Sequence, residues 1–210
     1  DLGMIVKEAF YIASTGRPGA VVIDLPVDVT TDTWDGDTPE KINLPGYKPV
    51  YEGNMRQIKL AAEAINRSKK PVIYAGGGVI ASNGSEELIA LAKKANIPVN
   101  TTLLALGAFP EDDDLSLGML GMNGTAYANF AVHESDLLIA IGARFDDRVT
   151  GKVETFAPNA VVIHIDIDPT SISKNVKVDI PVVGDARKIL EELIKHVQYV
   201  ERKEWFESIS

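Results

Sequence analysis

The sequence predicts an α/β protein built on a doubly wound parallel sheet with helices on both faces. Between residues 55 and 198, short runs that are apolar on both faces alternate with segments whose apolar residues recur at helical spacing. Strands of that kind are typical of a parallel sheet that is covered on both sides. Because crossovers between parallel strands are right-handed, the helices fall on both faces, and the domain is expected to be Rossmann-like.

Caps, periodicity and turn residues predict the elements of this domain in order. Asn54 is suited to cap the first helix, whose apolar positions share one face. The spacing of Asn83 and Glu86 predicts a capping box at the next helix, and Asp185 is expected to cap the last one. A further helix is predicted at TAYANFAVHE. Strands are expected at 71–75, 97–100, near 117, and at 136–141, 161–165 and 180–183.

Residues outside this domain have a different character. Apolar spacing predicts a helix over 4–15, and the β-branched run AVVIDLP predicts a strand over 20–26. Residues 32–54 are rich in Thr, Asp, Gly and Pro without periodicity, and we predict a linker there. The charged and loosely patterned segment 199–210 is predicted to begin a second linker.

Composition excludes several classes of function. The 210-residue chain is 45% hydrophobic, has no cysteine and carries a formal net charge of −9. An acidic surface repels nucleic acid and anionic membranes, so neither is an expected partner. Without cysteine there are no disulfides or thiolate metal sites, and the histidines lack metal-ligand spacing, so no metal site is expected. We expect no targeting peptide or membrane-spanning segment, and a cytoplasmic location.

Residues suited to ligand binding follow the predicted strands. Because the carboxyl ends of parallel strands meet at one edge of a sheet, these residues are expected to lie together. They are Gly76, Gly77, Gly78, Thr101, Thr102, Leu103, Gly118, Met119, Gly121, Met122, Gly142, Arg144, Asp146, Asp147, Arg148, Asp166, Asp168, Gly184 and Asp185. Arginine suits a pyrophosphate, glycine turns expose N–H groups, and carboxylates accept hydrogen bonds from ribose hydroxyls or an adenine amino group. The set predicts an extended ligand with a doubly charged centre and a hydroxylated, aromatic end.

The glycine turn has two interpretations. The stretch GGGVIA fits the dinucleotide pattern G-x-G-x-x-G/A through Gly76, Gly78 and Ala81. That pattern also expects an acidic residue about 20 positions later, where this chain has NTTL, so the usual nicotinamide mode is disfavoured. The alternative is that the glycines only make a tight turn from strand to helix.

The stretch RFDDR also has two interpretations. Arg144 and Arg148 either face a ligand or form an internal ion-pair cluster with Asp146 and Asp147. Exposed ion pairs contribute only about 0–1 kcal/mol, which is a weak reason to place four charges at a sheet edge. Met122 similarly offers either ordinary packing or an apolar wall against a flat ring.

Four stretches carry a family resemblance: GRPGAVVIDLPVDV, NTTLLALGAFP, LSLGMLGMNGTAYANFAVHESDLLIAIGARFDDRVTGK and FAPNAVVIHIDIDP. They resemble the large catalytic subunits of the acetohydroxyacid synthase (acetolactate synthase) family of thiamine-diphosphate-dependent enzymes, through essentially the whole chain. The resemblance implies that 1–31 ends a pyrimidine-binding domain and that 55–198 is a central FAD-binding domain. Residues 199–210 would then lead to a pyrophosphate-binding domain.

The resemblance also implies the roles of particular residues. The implied FAD contacts are Arg17, Gly76, Gly77, Gly78, Thr102, Leu103, Leu104, Gly121, Met122, Asn123, Gly142, Ala143, Arg144, Asp146, Arg148, Val149, Asp166, Ile167, Asp168, Gly184 and Asp185. Arg148 is similar to the arginine that helps recognise the second 2-keto acid, and Met122 to an apolar wall of the active site. The family usually has His where this chain has Asn123. No catalytic residue is implied in this segment.

The implied parent reaction is decarboxylation of pyruvate and addition of the resulting carbanion to pyruvate or 2-ketobutyrate, in branched-chain amino-acid biosynthesis. Thiamine diphosphate and Mg²⁺ are expected only in the full-length parent, and the partners that the resemblance allows are further copies of the chain and a regulatory subunit. FAD would carry no net redox change. The alternatives are the central domain of a glyoxylate carboligase or pyruvate oxidase, and an FAD-binding module of the electron-transfer type.

Overall fold

The computed structural model describes residues 1–34, 36 and 40–209. The chain divides into two compact units, Asp1–Val50 and a larger one that starts at Tyr51. Of the predicted linker 32–54, residues 35 and 37–39 lie outside the described residues, as does residue 210 of the predicted second linker.

The first unit contains two helices, α1 (Leu2–Ser14) and α2 (Val27–Thr31). The strand predicted over 20–26 is wrong, because these residues pair with no strand among the residues described and Val22 is 90% exposed. A β-branched run becomes a strand only where a partner completes its hydrogen bonds. No described residue of this unit is buried.

The second unit is one sheet of six parallel strands with helices around it, which confirms the predicted fold class. Its helices are α3 (Met55–Arg67), α4 (Gly77–Ala81), α5 (Ser85–Ala95), α6 (Ala126–Glu134), α7 (Asp147–Thr150), α8 (Ala186–His196) and α9 (Lys203–Ile209). Its strands are β1 (Pro71–Ala75), β2 (Val99–Thr101), β3 (Ser116–Met119), β4 (Leu137–Ile141), β5 (Val161–Asp166) and β6 (Ile180–Val183). Their order across the sheet is β3-β2-β1-β4-β5-β6.

Caps and apolar faces form as the sequence predicts at both ends of this unit. The Asn54 side chain accepts from two N–H groups at the start of α3, and the four apolar residues of that helix are buried. Asp185 caps α8 by accepting from the Lys188 N–H. The strands β1 and β4 are buried along their whole length, as central strands of a parallel sheet should be.

Two apolar clusters lie on the two faces of the sheet. One contains the inner faces of α3, α5 and α8, and the other contains those of α6 and α9. Apolar area that leaves water stabilises the fold by roughly 25 cal/mol per Å², so each cluster fixes its helices to one face of the sheet. This arrangement leaves the carboxyl ends of all six strands at a common edge.

One predicted feature of this unit is wrong, and one segment contains a helix that the sequence did not predict. Asn83 does not cap α5: it adopts a left-handed φ of 54°, and Gly84 precedes the helix without a side-chain cap. Within 199–210, Lys203–Ile209 form α9, whose Trp205 is buried and donates from Nε1 to the Pro71 carbonyl at 3.1 Å. That a second linker begins in this segment stays a prediction. Arg202, just before α9, is buried as well.

Candidate functional site

The candidate site lies where the strand order of the sheet reverses. The neighbouring strands β1 and β4 are followed by connections that lead to β2 on one side and β5 on the other. In open parallel sheets a crevice forms at such a point, outside the carboxyl ends of the strands. The sequence places the glycine turn after β1 and the RFDDR loop after β4, so the structure brings both to this point.

Glycines let these two turns pack backbone against backbone. A Cβ on Gly76 would lie 2.2 Å from the Gly142 oxygen, and one on Gly78 would lie 2.6 Å from the Gly142 Cα. Gly142 itself has a φ of 57°, and the Gly78 N–H donates to its carbonyl at 3.0 Å. Tight packing therefore accounts for all three glycines, and the Gly78 N–H is already used within the protein.

Phe145 anchors the RFDDR loop in the core. In the strand register Ala140 lies between Tyr74 and His164, so its small side chain leaves space on that face of the sheet. The Phe145 ring occupies this space, with its centroid 6.1 Å from that of Tyr74 and 5.3 Å from that of His164. His164 Nε2 also contacts the Ala143 carbonyl at 2.9 Å. These contacts fix the loop while its charged residues stay exposed.

The two arginines of the loop differ in their ion pairing. Arg144 Nη2 lies 3.6 Å from Asp146 Oδ2, and both side chains are about half exposed, so this pair is weak. Asp147 accepts from the Arg148 N–H at 2.9 Å. The guanidinium of Arg148 forms no ion pair with any residue that the structure describes. The ion-pair interpretation therefore holds in part for Arg144, and Arg148 is free to meet an anion.

The loop after β3 packs directly on Arg148. A Cβ on Gly121 would lie 2.6 Å from the Arg148 carbonyl oxygen, and the Met122 N–H donates to that oxygen at 2.9 Å. Met122 is 74% exposed, so its side chain does not pack in the core of this unit. Asn123 is exposed beside it, and Val149 is half-buried. The backbone of Met122 thus contacts that of Arg148, and the side chains of both residues are exposed.

The segment after β2 adds apolar surface on the other side of the glycine turn. Leu103 and Leu104 are 69% and 72% exposed, and a Cβ on Gly77 would lie 3.1 Å from the Leu104 Cβ. The Thr102 hydroxyl is buried and finds no hydrogen-bond partner among the residues described. These residues suit a flat, apolar ligand with a polar atom near Thr102.

The predicted carboxylates follow β5 and β6, and each already has a local partner. Asp166 accepts from the Asp168 N–H at 2.9 Å, Asp168 accepts from Thr170, and Asp185 caps α8. Gly184, between the last two, donates its N–H to the Asp166 carbonyl at 3.0 Å. A carboxylate has about four lone-pair positions, so these groups keep the capacity to accept further bonds from a ligand. Their contact with a ligand stays a prediction.

Three further predicted FAD contacts differ in how exposed they are. Ile167 lies between the two aspartates after β5 and is half-buried. Ala143 is buried in the RFDDR loop. Arg17 is exposed in the first unit, and its role stays a prediction.

The sequence interpretation missed a cavity of about 350 Å³ beside α6. Its lining includes Phe130, His133 and Phe156, and of the predicted contacts it includes only Val149. It also missed Asn129, whose side chain holds the loop after β3. No signal in the sequence separates these residues from an ordinary helix face.

Two kinds of feature are absent from the described residues. No helix in this part of the chain is both long and apolar enough to cross a membrane. Within the same residues, no cluster of three or more His, Asp or Glu side chains could hold a metal ion.

The fold and this edge define a doubly wound α/β domain with a ligand crevice at its topological switch point. The family model described as "Thiamine pyrophosphate enzyme, central domain" matches residues 58–193. The chain therefore belongs to the central-domain family of thiamine pyrophosphate enzymes, which confirms the family predicted from the motifs.

Curated relatives carry more specific names. The chain is 51% identical to the acetolactate synthase large subunit of Buchnera aphidicola (subspecies Schizaphis graminum), over 100% of the chain and 38% of that protein. It is 55% identical to the probable acetolactate synthase large subunit of Methanocaldococcus jannaschii, over 97% of the chain and 35% of that protein. For the acetolactate synthase large subunit of Corynebacterium glutamicum the identity is 54%, over 93% and 31%. The chain thus spans about a third of the length of the curated relatives that it matches.

Proposed function

We propose that this chain is the FAD-holding central domain of an acetolactate synthase large subunit. The whole protein would decarboxylate pyruvate and add the resulting carbanion to a second 2-keto acid. The observation that carries the proposal is the switch-point edge, where Arg148, which has no ion pair among the described residues, contacts the exposed Met122 through the backbone. The relatives named acetolactate synthase, 51% to 55% identical, support the synthase over a glyoxylate carboligase, a pyruvate oxidase or an electron-transfer module.

The residues present fit FAD in chemistry. Backbone packing of Gly76 and Gly78 against Gly142 holds the turns after β1 and β4 together, so the groups that follow both strands lie at one edge. The exposed Leu103 and Leu104 supply apolar surface for a ring system. The buried and unpartnered Thr102 hydroxyl and the unpaired guanidinium supply polar contacts within the same edge.

The chain's own residues would bind and position, and would carry out no bond-breaking step. Arg148 has the planar, bidentate geometry that suits either a pyrophosphate or the carboxylate of a 2-keto acid. Met122 would form an apolar wall, and Phe145 would keep the loop in place. Bound FAD would supply no net redox chemistry. Thiamine diphosphate and Mg²⁺ would belong to other parts of the longer protein, and a cytoplasmic homo-oligomer with a possible regulatory subunit completes the proposal.

A titration of FAD with the chain tests the proposal, and the quenching of flavin fluorescence measures binding. Arg148→Ala and Asp166→Ala should each weaken binding, and Arg148→Ala should do so about tenfold, because a charge-assisted hydrogen bond is lost. Arg67→Ala is the matched control, since Arg67 is an exposed arginine at the end of α3, which leads to the opposite edge of the sheet. Binding that is tight and indifferent to both site variants would contradict the site assignment.

A second measurement tests the reaction. A full-length protein that contains this chain should form acetolactate from pyruvate. Electron transfer from pyruvate to the flavin without acetolactate formation would favour the oxidase.

A further inference from the structure

Asn129, on the second turn of α6, forms hydrogen bonds with the loop after β3 through both its side-chain oxygen and its side-chain nitrogen. Its Oδ1 accepts from the Gly121 N–H at 3.2 Å, and its Nδ2 donates to the Gly121 carbonyl at 3.1 Å. The same Nδ2 donates to the Thr125 carbonyl at 2.8 Å, which fixes the orientation of the side chain on its own helix. One side chain thus satisfies both backbone groups of a glycine in an irregular loop.

Gly121 in turn contacts the candidate ligand-binding residues. Gly121 has a φ of 93° and packs against the Arg148 carbonyl, and the next N–H, that of Met122, donates to that carbonyl at 2.9 Å. A displacement of Gly121 therefore moves the hydrogen bond that holds the backbone of Arg148. It also moves Met122, the next residue of the loop, whose side chain is exposed.

The start of α6 does not need Asn129. Thr125 caps the helix by accepting from the Ala128 N–H at 3.2 Å, and its hydroxyl donates to the Leu117 carbonyl at 3.0 Å. The hydrogen bonds of Asn129 are directed to the loop, with one tie to the helix that orients it. This separates the role of Asn129 from helix capping.

We propose that Asn129 is a positioning residue, which holds Gly121 so that Met122 and Arg148 face the ligand together. This inference rests on the proposed function, because it assigns Asn129 to the same FAD site. In this role Asn129 would act through the backbone contact between Gly121 and Arg148.

A double-mutant cycle with FAD as the ligand tests the inference. Asn129→Ala should weaken FAD binding about tenfold in the wild-type background and less than about twofold in an Arg148→Ala background, because the two act in series. Asn129→Asp keeps the acceptor for the Gly121 N–H and loses both donated bonds, so it should fall between wild type and Asn129→Ala. If Asn129→Ala folds poorly, the FAD affinity of Asn129→Asp still tests the inference.

Asn66 provides the matched control at the opposite edge of the sheet. Its side chain also forms two hydrogen bonds with the backbone: it donates to the His196 carbonyl at 3.1 Å and accepts from the Gln198 N–H at 2.8 Å. Asn66→Ala removes similar hydrogen bonds, so it should lower the melting temperature comparably. FAD affinity should stay within about twofold of wild type in both backgrounds.

Hydrogen exchange without ligand separates this inference from the proposed function. Exchange of the Gly121 and Met122 amides should accelerate in Asn129→Ala and remain at the wild-type rate in Asn66→Ala. If the wild-type chain does not bind FAD, the proposed function fails, and unchanged exchange at these two amides then overturns the inference as well. If FAD binds, equal weakening by Asn129→Ala in both Arg148 backgrounds overturns it.

Discussion

Replacement of Arg202 tests how the end of the chain stabilises the second unit. Its side chain is 4% exposed, and its guanidinium donates to backbone carbonyls where α3 and α5 end. Nη2 donates to the Ile65 carbonyl at 2.9 Å, Nε to Ser68 at 3.1 Å, and Nη1 to Ala95 and, at 3.3 Å, to Asn96. The last carbonyls of a helix have no partner within the helix, and the negative ends of two helix dipoles favour a cation here.

The magnitude follows from the carbonyls that lose their donor. Burial lowers the pKa of Arg202, and the Asp136 carboxylate opposes this shift, so the guanidinium has been removed from water and depends on these bonds. A buried acceptor left unsatisfied costs about 1–3 kcal/mol, and the Ile65 and Ala95 carbonyls lie in the last turns of their helices. Arg202→Met, which keeps the apolar stem, should therefore destabilise the chain by about 3 kcal/mol. Arg202→Lys should lose about half of that, since an ammonium lacks the planar fork that reaches both helices.

Urea denaturation, followed by circular dichroism and by the fluorescence of buried Trp205, measures both effects. In a protein of this size a loss of about 3 kcal/mol lowers the melting temperature by roughly 6–12 °C. Lys203→Met is the control, because Lys203 is the next residue and is largely exposed. A free energy of unfolding for Arg202→Met within about 0.5 kcal/mol of wild type would mean that the Arg202 hydrogen bonds make no net contribution to stability, contrary to this prediction.

Two further changes have clear expected outcomes. Gly142→Ala places a Cβ 2.5 Å from the Gly78 Cα at a φ of 57°, so it should cost at least about 2 kcal/mol by denaturation. Gly107→Ala, with a φ of 88° and open space around it, should cost about 1 kcal/mol, and an equal cost would argue against the backbone contact. The Lys93 ammonium, hydrogen-bonded to Asp113, lowers the pKa of that carboxyl, so Lys93→Met should return the pKa toward about 4 in an NMR titration. Because the folded-state pKa is lowered, the pair stabilises the fold above about pH 4 and loses its effect as the pH falls further. A stability difference between Lys93→Met and wild type that does not shrink as the pH falls below about 4 would contradict this.

The regular elements of the second unit were predictable because local signals determine them. The Asn54 cap, the apolar face of α3 and the buried strands follow from side chains within a few positions of one another. The predicted strand over 20–26 failed because pairing depends on a distant partner that residue pattern does not reveal. Asn83 failed for a different reason: asparagine tolerates left-handed backbone, and it occupies the turn before Gly84 in place of the cap.

Some features of the candidate site were predictable from the sequence, and others were not. Parallel topology alone predicts that Gly76, Gly142 and Arg148 meet at one edge, and the structure brings them together. The burial of Phe145 over Ala140 depends on strand register, which the sequence does not give. The role of Arg202 was not predictable either. In the sequence it belongs to a charged segment, and only the fold brings the ends of two helices to its guanidinium.

A crystal structure of the chain grown with FAD tests the central claim most directly. We expect FAD to lie across the ends of β1 and β4, with a phosphate or carbonyl oxygen of the ligand within hydrogen-bond distance of the Arg148 guanidinium. FAD bound in the cavity beside α6, or on the opposite edge of the sheet, would contradict it.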